Sequence, residues 1–298
     1  MDKKIIAIVG PTGIGKTSLS IALAKAFDGE VISCDSMQVY RKMDIGTAKV
    51  TKQEMENIPH HLIDIQDYDE PYNVMIFQQL CRQAIEDIQS RNKQVILCGG
   101  TGLYLKAALY DYTFEEEQVD EEYNQYLHTL SNEQLYEMLK EVDEKALDKI
   151  HINNKKRMIR ALMMAHMGKT KSEREDSQQH VPLYDVHFIG LDMDRELLHQ
   201  RIDARVDLMF EQGLVQEVTS LFTNPNTWEY TSFQGIGYKE FKDYFLNHED
   251  LDIIKERIKT HSRQYAKRQY TWFKNQMPVT WYQAGKTQEI IEDIRGLL

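Results

Sequence analysis

The stretch GPTGIGKT, Gly10 to Thr17, decides the fold, and it follows directly on the apolar run Ile5 to Val9. It matches the pattern GxxxxGK followed by Ser or Thr, in which glycines let the backbone form a concave nest of N–H donors. In such a nest the side chain of Lys16 reaches the terminal phosphates, and the hydroxyl of Thr17 can coordinate magnesium. Because an amphipathic helical pattern follows at Ser18 to Phe27, the stretch predicts a strand, a phosphate-binding loop and a helix in succession.

Short apolar runs alternate with helical patterns along much of the chain. The runs typical of buried strands are Ile5 to Val9, Val31 to Cys34, His61 to Ile65, Val95 to Cys98, Val186 to Leu191 and Val279 to Tyr282. This alternation predicts an α/β fold, a P-loop NTPase-like doubly wound parallel sheet.

The strand pattern is interrupted between the fourth and fifth runs. Residues 114–182 show helical repeats instead, such as Leu135, Met138, Leu139 and Val142. We therefore expect an all-helical insertion domain of residues 114–182 within a P-loop core domain of residues 1–113 and 183–298.

The net charge of −11 over 298 residues is unevenly distributed. Residues 114–150 hold twelve acids against three bases, whereas residues 152–174 and 255–274 each hold seven bases against one acid. One basic run alone is usually a solvated helix face. Two such runs with aromatic neighbours favour a polyanionic partner.

Three cysteines, Cys34, Cys81 and Cys98, show no CxxC spacing, which argues against a disulfide framework and a structural zinc site. The longest apolar runs are far shorter than a membrane span, and the N-terminal residues MDKKIIAIV lack the features of a signal peptide. We expect a cytoplasmic monomer with no membrane partner.

Asp35 ends the second predicted strand. Ligands of doubly wound sheets lie beyond the carboxyl ends of the strands, so Asp35 is expected at the same edge as the P-loop. It could serve there as a general base that takes a proton from an attacking nucleophile. An Asx-turn or a helix cap is the alternative interpretation.

The fourth predicted strand is followed by Gly99, Gly100, Thr101 and Gly102, where an NTPase usually has a metal-binding acid. Glycines here allow a ligand to approach the backbone, and Thr101 can cap the next helix or donate a hydrogen bond. The missing acid argues against ATP hydrolysis.

Arg201 and Arg205 lie four residues apart in a helix that Asp194 can cap, and therefore share one face. Two guanidinium groups on one face can hold a diphosphate. Alternatively, Asp203 and Asp207 could pair with them in an exposed ladder of salt bridges.

The segment HSRQYAKRQYTWFKNQ, His261 to Gln276, interleaves basic and aromatic side chains. Cations beside planar rings are typical of surfaces that bind RNA, where they meet phosphates and unpaired bases. An amphipathic helix with its aromatic residues in the core is the plainer interpretation.

Taken together, these residues resemble the tRNA dimethylallyltransferases, also called tRNA isopentenyltransferases, of the bacterial type. The motifs that carry the resemblance, in order, are GPTGIGKT (Gly10 to Thr17), DSMQVYRKMDIGTAK (Asp35 to Lys49), PHHLIDI (Pro59 to Ile65), GGTGLYLKAAL (Gly99 to Leu109), LLHQRIDARVDLM (Leu197 to Met209), IGYKE (Ile236 to Glu240) and RQYAKRQYTWF (Arg263 to Phe273).

This resemblance implies transfer of a dimethylallyl group from dimethylallyl diphosphate to the N6 amine of the adenosine 3′ of the anticodon, with Mg²⁺ as cofactor. Asp35 would take the proton of the amine, and Lys16, Thr17 and Arg205 would act on the departing diphosphate, with the metal at Thr17. The diphosphate-binding residues would be Gly10, Thr12, Gly13, Gly15, Lys16, Thr17 and Arg205.

The resemblance also implies that the core and the insertion domain both contact the anticodon stem-loop of tRNA. The residues assigned to this contact are Asp35, Ser36, Met37, Gln38, Thr101, Lys156, Arg157, Arg160, Gly237, Lys239, Arg263, Lys267 and Arg268.

Two other functions are compatible with parts of the sequence. A P-loop kinase of a nucleoside or small alcohol would also use the P-loop and Asp35, but it leaves the two basic runs unexplained. A non-catalytic RNA-binding protein on a decayed P-loop predicts loss of Lys16, Thr17 or Asp35, and all three are present.

Overall fold

The computed structural model describes residues 4–114, 120–177 and 180–297. The chain divides into two compact units, the first formed by Met1–Leu109 with Leu183–Leu298 and the second by Tyr110–Pro182. Residues 1–3, on which the signal-peptide argument partly depends, and residues 115–119, within the predicted acidic part of the insertion, lie outside the described residues.

The first unit is built on one parallel sheet. Its strands are β1 (Ile5–Val9), β2 (Gly29–Ser33), β3 (His60–His61), β4 (Gln94–Gly99), β5 (Val186–Asp192) and β6 (Val279–Gln283). Their spatial order is β3-β2-β4-β1-β5-β6, so β1 lies between β4 and β5, with Ile8 opposite both Cys98 and Ile189. The α/β, doubly wound parallel sheet is confirmed.

Helices connect these strands and build the second unit. In chain order they are α1 (Lys16–Phe27), α2 (Val74–Ser90), α3 (Gly102–Leu109), α4 (Glu121–Thr129), α5 (Asn132–Asp143), α6 (Lys155–His166), α7 (Lys171–Ser177), α8 (Arg195–Glu211), α9 (Leu214–Leu221), α10 (Phe241–Asn247), α11 (Leu251–Gln276) and α12 (Thr287–Arg295). Asp194 caps α8, since its carboxylate accepts hydrogen bonds from the amides of Glu196 and Leu197.

The core of the first unit forms around β1, whose five residues are all buried. Ile6 and Ile8 pack with Leu23 of α1, Ile189 of β5 and Ile294 of α12. Burying a side chain of this size stabilises the fold by about 1.5–3 kcal/mol, so this cluster holds the strand before the P-loop rigidly in place.

The second unit has its own core, in which Leu127, Leu135, Leu139, Met158 and Leu162 are buried together. Its described helices are α4 to α7, and α5 begins with a capping box between Ser131 and Gln134. The unit therefore buries an apolar cluster without residues from the sheet.

The third strand is shorter than the sequence predicts. Only His60–His61 pair with β2, and the predicted continuation to Ile65 is wrong. Leu62 and Asp64 have φ angles of 62° and 55°, which no strand residue adopts, so the chain turns here. Among the described residues, none of the helices has both the length and the apolar character needed to cross a membrane.

Candidate active site

The P-loop follows β1 and leads into α1. Gly10, Gly13 and Gly15 have φ angles of 141°, 78° and 105°, a region that side chains with a Cβ rarely adopt. These angles turn the backbone amides inward at the N-terminus of α1, where the helix dipole also favours an anion. The geometry of this loop therefore suits an anion such as phosphate.

Lys16, the first residue of α1, lies beneath this nest. Its Nζ donates a hydrogen bond to the carbonyl of Pro11 at 2.8 Å. The pKa of Lys16 is lowered to about 8, chiefly by burial and to a smaller extent by the charge of Arg205, while Cys98 and Asp35 act in the opposite direction. A bound anion would relieve the cost of this buried charge.

A cavity of about 380 Å³ adjoins the nest, and we call it the polar cavity. It is lined by Thr12, Gly13, Gly15, Lys16, Thr17, Ser18, Ser33, Asp35, Gln38, Thr47, Glu54, Cys98, Gly99, Arg201 and Arg205. The three basic side chains among these residues make it suitable for a multiply charged anion.

Asp35 follows β2 and faces this cavity. Its Oδ1 accepts hydrogen bonds from the amides of Met37 at 2.8 Å and Gln38 at 3.3 Å, which is an Asx-turn. The two interpretations of Asp35 are thus compatible, because the turn fixes a carboxylate that also lines the cavity.

Arg201 and Arg205 both line the polar cavity. Their neighbours on α8 pair elsewhere: Asp203 with Arg263, and Asp207 with Lys255 and Lys259 of α11. The alternative of a salt-bridge ladder along α8 is therefore wrong, and both guanidinium groups remain at the cavity.

Arg205 is held between two neighbouring segments. Its guanidinium donates to Thr12 Oγ1 at 3.4 Å and to the carbonyl of Ala48 at 3.3 Å. Burial lowers the pKa of Arg205, while the carboxylates of Asp35 and Glu54 raise it. This guanidinium stays charged and is oriented towards the P-loop.

A second cavity, of about 490 Å³, shares Thr12, Asp35, Thr47 and Arg205 with the first. We call it the mixed cavity, because apolar and polar side chains both line it. The apolar and aromatic ones are Met37, Ala48, Tyr104, Ile202, Val206, Met209, Ile236, Ile258 and Tyr265. An anionic group and an apolar group can therefore be bound side by side.

Several other residues assigned from the sequence also meet at the mixed cavity. These are Ser36, Thr101, Gly237, Lys239 and Arg268. They come from the segments that follow β2 and β4, from the segment before α10, and from α11. The tertiary fold thus brings together motifs that are distant in sequence.

The remaining assigned residues lie elsewhere. Lys156, Arg157 and Arg160 are exposed on α6 in the second unit. Lys267 is exposed on α11, where it lines a different cavity of about 560 Å³ with Trp272. Arg263 pairs with Asp203 and Thr260 within the protein, which makes it a weaker candidate for contact with a partner.

Gln269 is a site residue that sequence reasoning missed. Its side-chain oxygen accepts from the amide of Thr12 at 2.8 Å, and its side-chain nitrogen donates to the carbonyl of Gly100 at 3.0 Å. A Cβ on Gly100 would lie 2.0 Å from that nitrogen, so a side chain at this position would displace the amide of Gln269. No local pattern marks Gln269, because its partners are set by the tertiary fold.

The residues present fit a magnesium ion shared with phosphate oxygens. Across residues 4–114, 120–177 and 180–297, no group of three or more His, Cys, Asp or Glu could hold a metal alone. Thr17 is exposed at the polar cavity, with Asp35 and Glu54 also in its lining. Mg²⁺ usually needs only one or two protein oxygens when phosphates supply the others.

A phosphate nest beside a mixed cavity, at the carboxyl edge of a parallel sheet, defines a P-loop enzyme of the α/β class. The family model described as IPP transferase matches residues 38–276. The chain belongs to this family, the tRNA dimethylallyltransferases.

Individual relatives agree with this assignment. The tRNA dimethylallyltransferase of Bacillus pumilus is 47% identical, over 99% of this chain and 96% of the relative. The full-length tRNA isopentenylpyrophosphate transferase of Bacillus halodurans is 42% identical with a TM-score of 0.75, over 98% of this chain and 96% of that one. A eukaryotic dimethylallyltransferase acting on tRNA is 35% identical with a TM-score of 0.82, over 99% of this chain and 78% of that one.

Proposed function

We propose that this protein transfers a dimethylallyl group to tRNA, from dimethylallyl diphosphate to the N6 amine of the adenosine 3′ of the anticodon. The observation that carries the proposal is that the polar and mixed cavities share Asp35 and Arg205. The first suits a diphosphate and the second suits an allyl group beside a base. The bond that breaks would lie where the cavities meet.

The donor would bind with its diphosphate in the polar cavity. The P-loop amides, Lys16 and Arg205 would hold the phosphate oxygens. Thr12 of the P-loop accepts a hydrogen bond from Arg205 and so connects the loop to this guanidinium. Magnesium at Thr17 would neutralise part of the diphosphate charge. The dimethylallyl group would extend among the apolar residues of the mixed cavity.

The acceptor amine would be activated by Asp35. Its Oδ1 is held by two amides, which leaves Oδ2 to accept a proton from the N6 amine. The nitrogen forms a bond to the allylic C1 while the C1–O bond breaks, and the diphosphate departs with that electron pair. Lys16 and Arg205 stabilise the negative charge that develops on the leaving oxygen.

Membership of the family argues against the kinase of a nucleoside or small alcohol. The site agrees with this conclusion, because β4 is followed by Gly100 and Thr101 rather than by a metal-binding acid. Phosphate is therefore the leaving group here and is not transferred.

A direct assay tests the proposed function. Purified protein is incubated with magnesium, dimethylallyl diphosphate and an unmodified anticodon stem-loop, and the RNA is analysed by mass spectrometry. The expected product is a dimethylallyl adduct on the adenosine 3′ of the anticodon. A stem-loop with another base at that position is the matched control. Adduct formation on the control RNA, or ADP formation from ATP with a small acceptor, would contradict the proposal.

Lys267→Ala is expected to weaken tRNA binding and to reduce the slope of log Kd against log salt by about one, because one phosphate contact is lost. Lys267 tests tRNA binding more specifically than Arg268, because Arg268 also lines the mixed cavity and its removal could affect the donor site. Binding of a labelled stem-loop over a salt series measures both effects. Lys286→Ala, an exposed lysine paired with Glu289, is the control. An unchanged slope in Lys267→Ala would remove this position from the tRNA surface.

Donor binding is expected to weaken as the pH rises through about 8, because Lys16 then loses its proton. The pKa of Lys16 is about 8 in the folded protein and 10.5 in the unfolded chain, so the charged form of Lys16 opposes folding. The contribution of Lys16 to the free energy of unfolding therefore rises between about pH 8 and pH 10.5. The profile of kcat/KM for the donor reports the free-enzyme pKa. A profile that stays flat to pH 9.5 would show that Lys16 keeps its charge.

A further inference from the structure

We propose that Glu217 of α9 is a positioning residue for the donor site, acting through the loop of residues 44–48, here called the 44–48 loop, on Arg205. The inference rests on the proposed function, since it assigns a role in binding the diphosphate of the donor. Glu217 itself lines neither the polar nor the mixed cavity.

The carboxylate of Glu217 accepts four hydrogen bonds. Oε2 accepts from the amides of Asp44 at 2.9 Å and Ile45 at 2.7 Å. Oε1 accepts from the amide of Gly46 at 3.0 Å and from the hydroxyl of Tyr238 at 2.7 Å. Three consecutive amides converging on one carboxylate form a charge-assisted clamp, which is stronger than neutral hydrogen bonds of the same number.

The 44–48 loop carries this clamp to the active site. The carbonyl of Ala48 accepts from Arg205 at 3.3 Å and from the side-chain amide of Gln38 at 3.3 Å, while the carbonyl of Thr47 accepts from the same amide at 3.4 Å. Thr47 also lines both cavities. The loop thus orients one guanidinium and one amide that face the donor.

The conformation of the loop requires support. Ala48 has a φ angle of 47°, in the left-handed region that residues with a side chain rarely adopt. Such a conformation persists only when surrounding contacts hold it. The clamp at residues 44–46 ends two residues before this strained residue. Loss of the clamp therefore allows the carbonyl of Ala48 to turn away from Arg205.

Tyr238 supports the loop from its other side. The side chain is fully buried, and a Cβ on Gly46 would lie 2.6 Å from its ring. Burial, with the charge of Glu217, raises the pKa of Tyr238 well above its usual value, so the hydroxyl remains a donor to the carboxylate. Glu217 thereby joins α9, the 44–48 loop and the segment before α10.

The Glu217→Gln variant keeps the shape of the side chain but replaces one acceptor oxygen by a donor nitrogen. At least one hydrogen bond from a backbone amide of the 44–48 loop is then lost, because the new nitrogen cannot accept, although the hydroxyl of Tyr238 can accept from it. Binding of inorganic diphosphate to the full chain with magnesium, measured by calorimetry, is expected to weaken about tenfold. Glu211→Gln, an exposed residue at the end of α8, is the matched control and should bind as the wild type does.

Coupling to Arg205 separates positioning from a general structural role. Arg205→Ala is expected to weaken diphosphate binding by more than Glu217→Gln, and Glu217→Gln should add little to it in the double variant. Additive losses would overturn the inference, because the effect of Glu217 would then not pass through Arg205. Wild-type affinity in Glu217→Gln would overturn it as well.

Two further measurements keep the test decisive. If thermal unfolding shows that Glu217→Gln is not folded, Tyr238→Phe serves as the second variant. It removes only the hydrogen bond from the Tyr238 hydroxyl to Glu217 and should weaken diphosphate binding about threefold. Wild-type affinity in that variant would refute the proposal. If the wild-type chain does not bind diphosphate, the proposed donor site itself is refuted. If the wild-type chain binds diphosphate and Glu217→Gln binds it equally well, only the role of Glu217 is refuted.

Discussion

Asp35→Asn is expected to lower kcat for dimethylallyl transfer by about 10²- to 10⁴-fold, the usual contribution of a general base. The reason is that an amide cannot accept the proton that the N6 amine must lose. Affinity for the tRNA stem-loop should change little, because the neutral side chain still fits the same place. Single-turnover transfer with saturating donor and RNA measures the chemical step, and RNA binding is measured separately.

Asparagine is the right substitution because it preserves the Asx-turn. Its Oδ1 can still accept from the amides of Met37 and Gln38, so the backbone at the carboxyl end of β2 keeps its conformation. Alanine would remove the turn and the base together. Asp252→Asn, in the exposed first turn of α11, is the control for a general loss of charge. Normal turnover by Asp35→Asn would rule out Asp35 as the base.

Lys16→Ala is expected to lower kcat/KM for dimethylallyl diphosphate by about 10²- to 10³-fold, comparable to the loss of one electrostatic contact to a developing anion. The fold should survive, since burial lowers the pKa of Lys16 and its charge therefore opposes folding in the absence of a ligand. Steady-state kinetics over donor concentration, with thermal unfolding of the same samples, measure both effects.

Lys25→Ala provides the matched control for Lys16→Ala. Lys25 lies on the same helix, α1, and forms an exposed ion pair with Glu56, so its removal should leave donor kinetics unchanged. Affinity for tRNA should be retained in both variants. Equal donor kinetics in Lys16→Ala and the wild type would mean that the P-loop does not hold the diphosphate.

The parts of the site that were predicted from the sequence are those with local signals. The P-loop is encoded by glycine spacing between an apolar strand and an amphipathic helix, and these are properties of neighbouring residues. Asp35 was placed by the rule that strand ends share one edge of a sheet. The apolar pattern makes the predicted third strand too long, because Leu62 is buried at a turn and does not pair with a neighbouring strand.

The role of Arg205 shows where local information ends. Helical spacing put it on one face with Arg201 but left open whether Asp203 and Asp207 would pair with them. The structure decides this, because Arg263, Lys255 and Lys259 of α11 take those carboxylates. Only the packing of α8 against α11 frees the two arginines for the cavity.

The sequence by itself determined the α/β class of the fold, the phosphate nest and the family of this protein, because each is encoded in short patterns and in motifs of fixed order. The tertiary structure alone decided which side chains complete the site. Gln269 meets Thr12 across 257 positions of sequence, and Glu217 meets Gly46 across 171. Such partners depend on how helices and loops pack, and periodicity within a segment carries no information about a contact between distant segments.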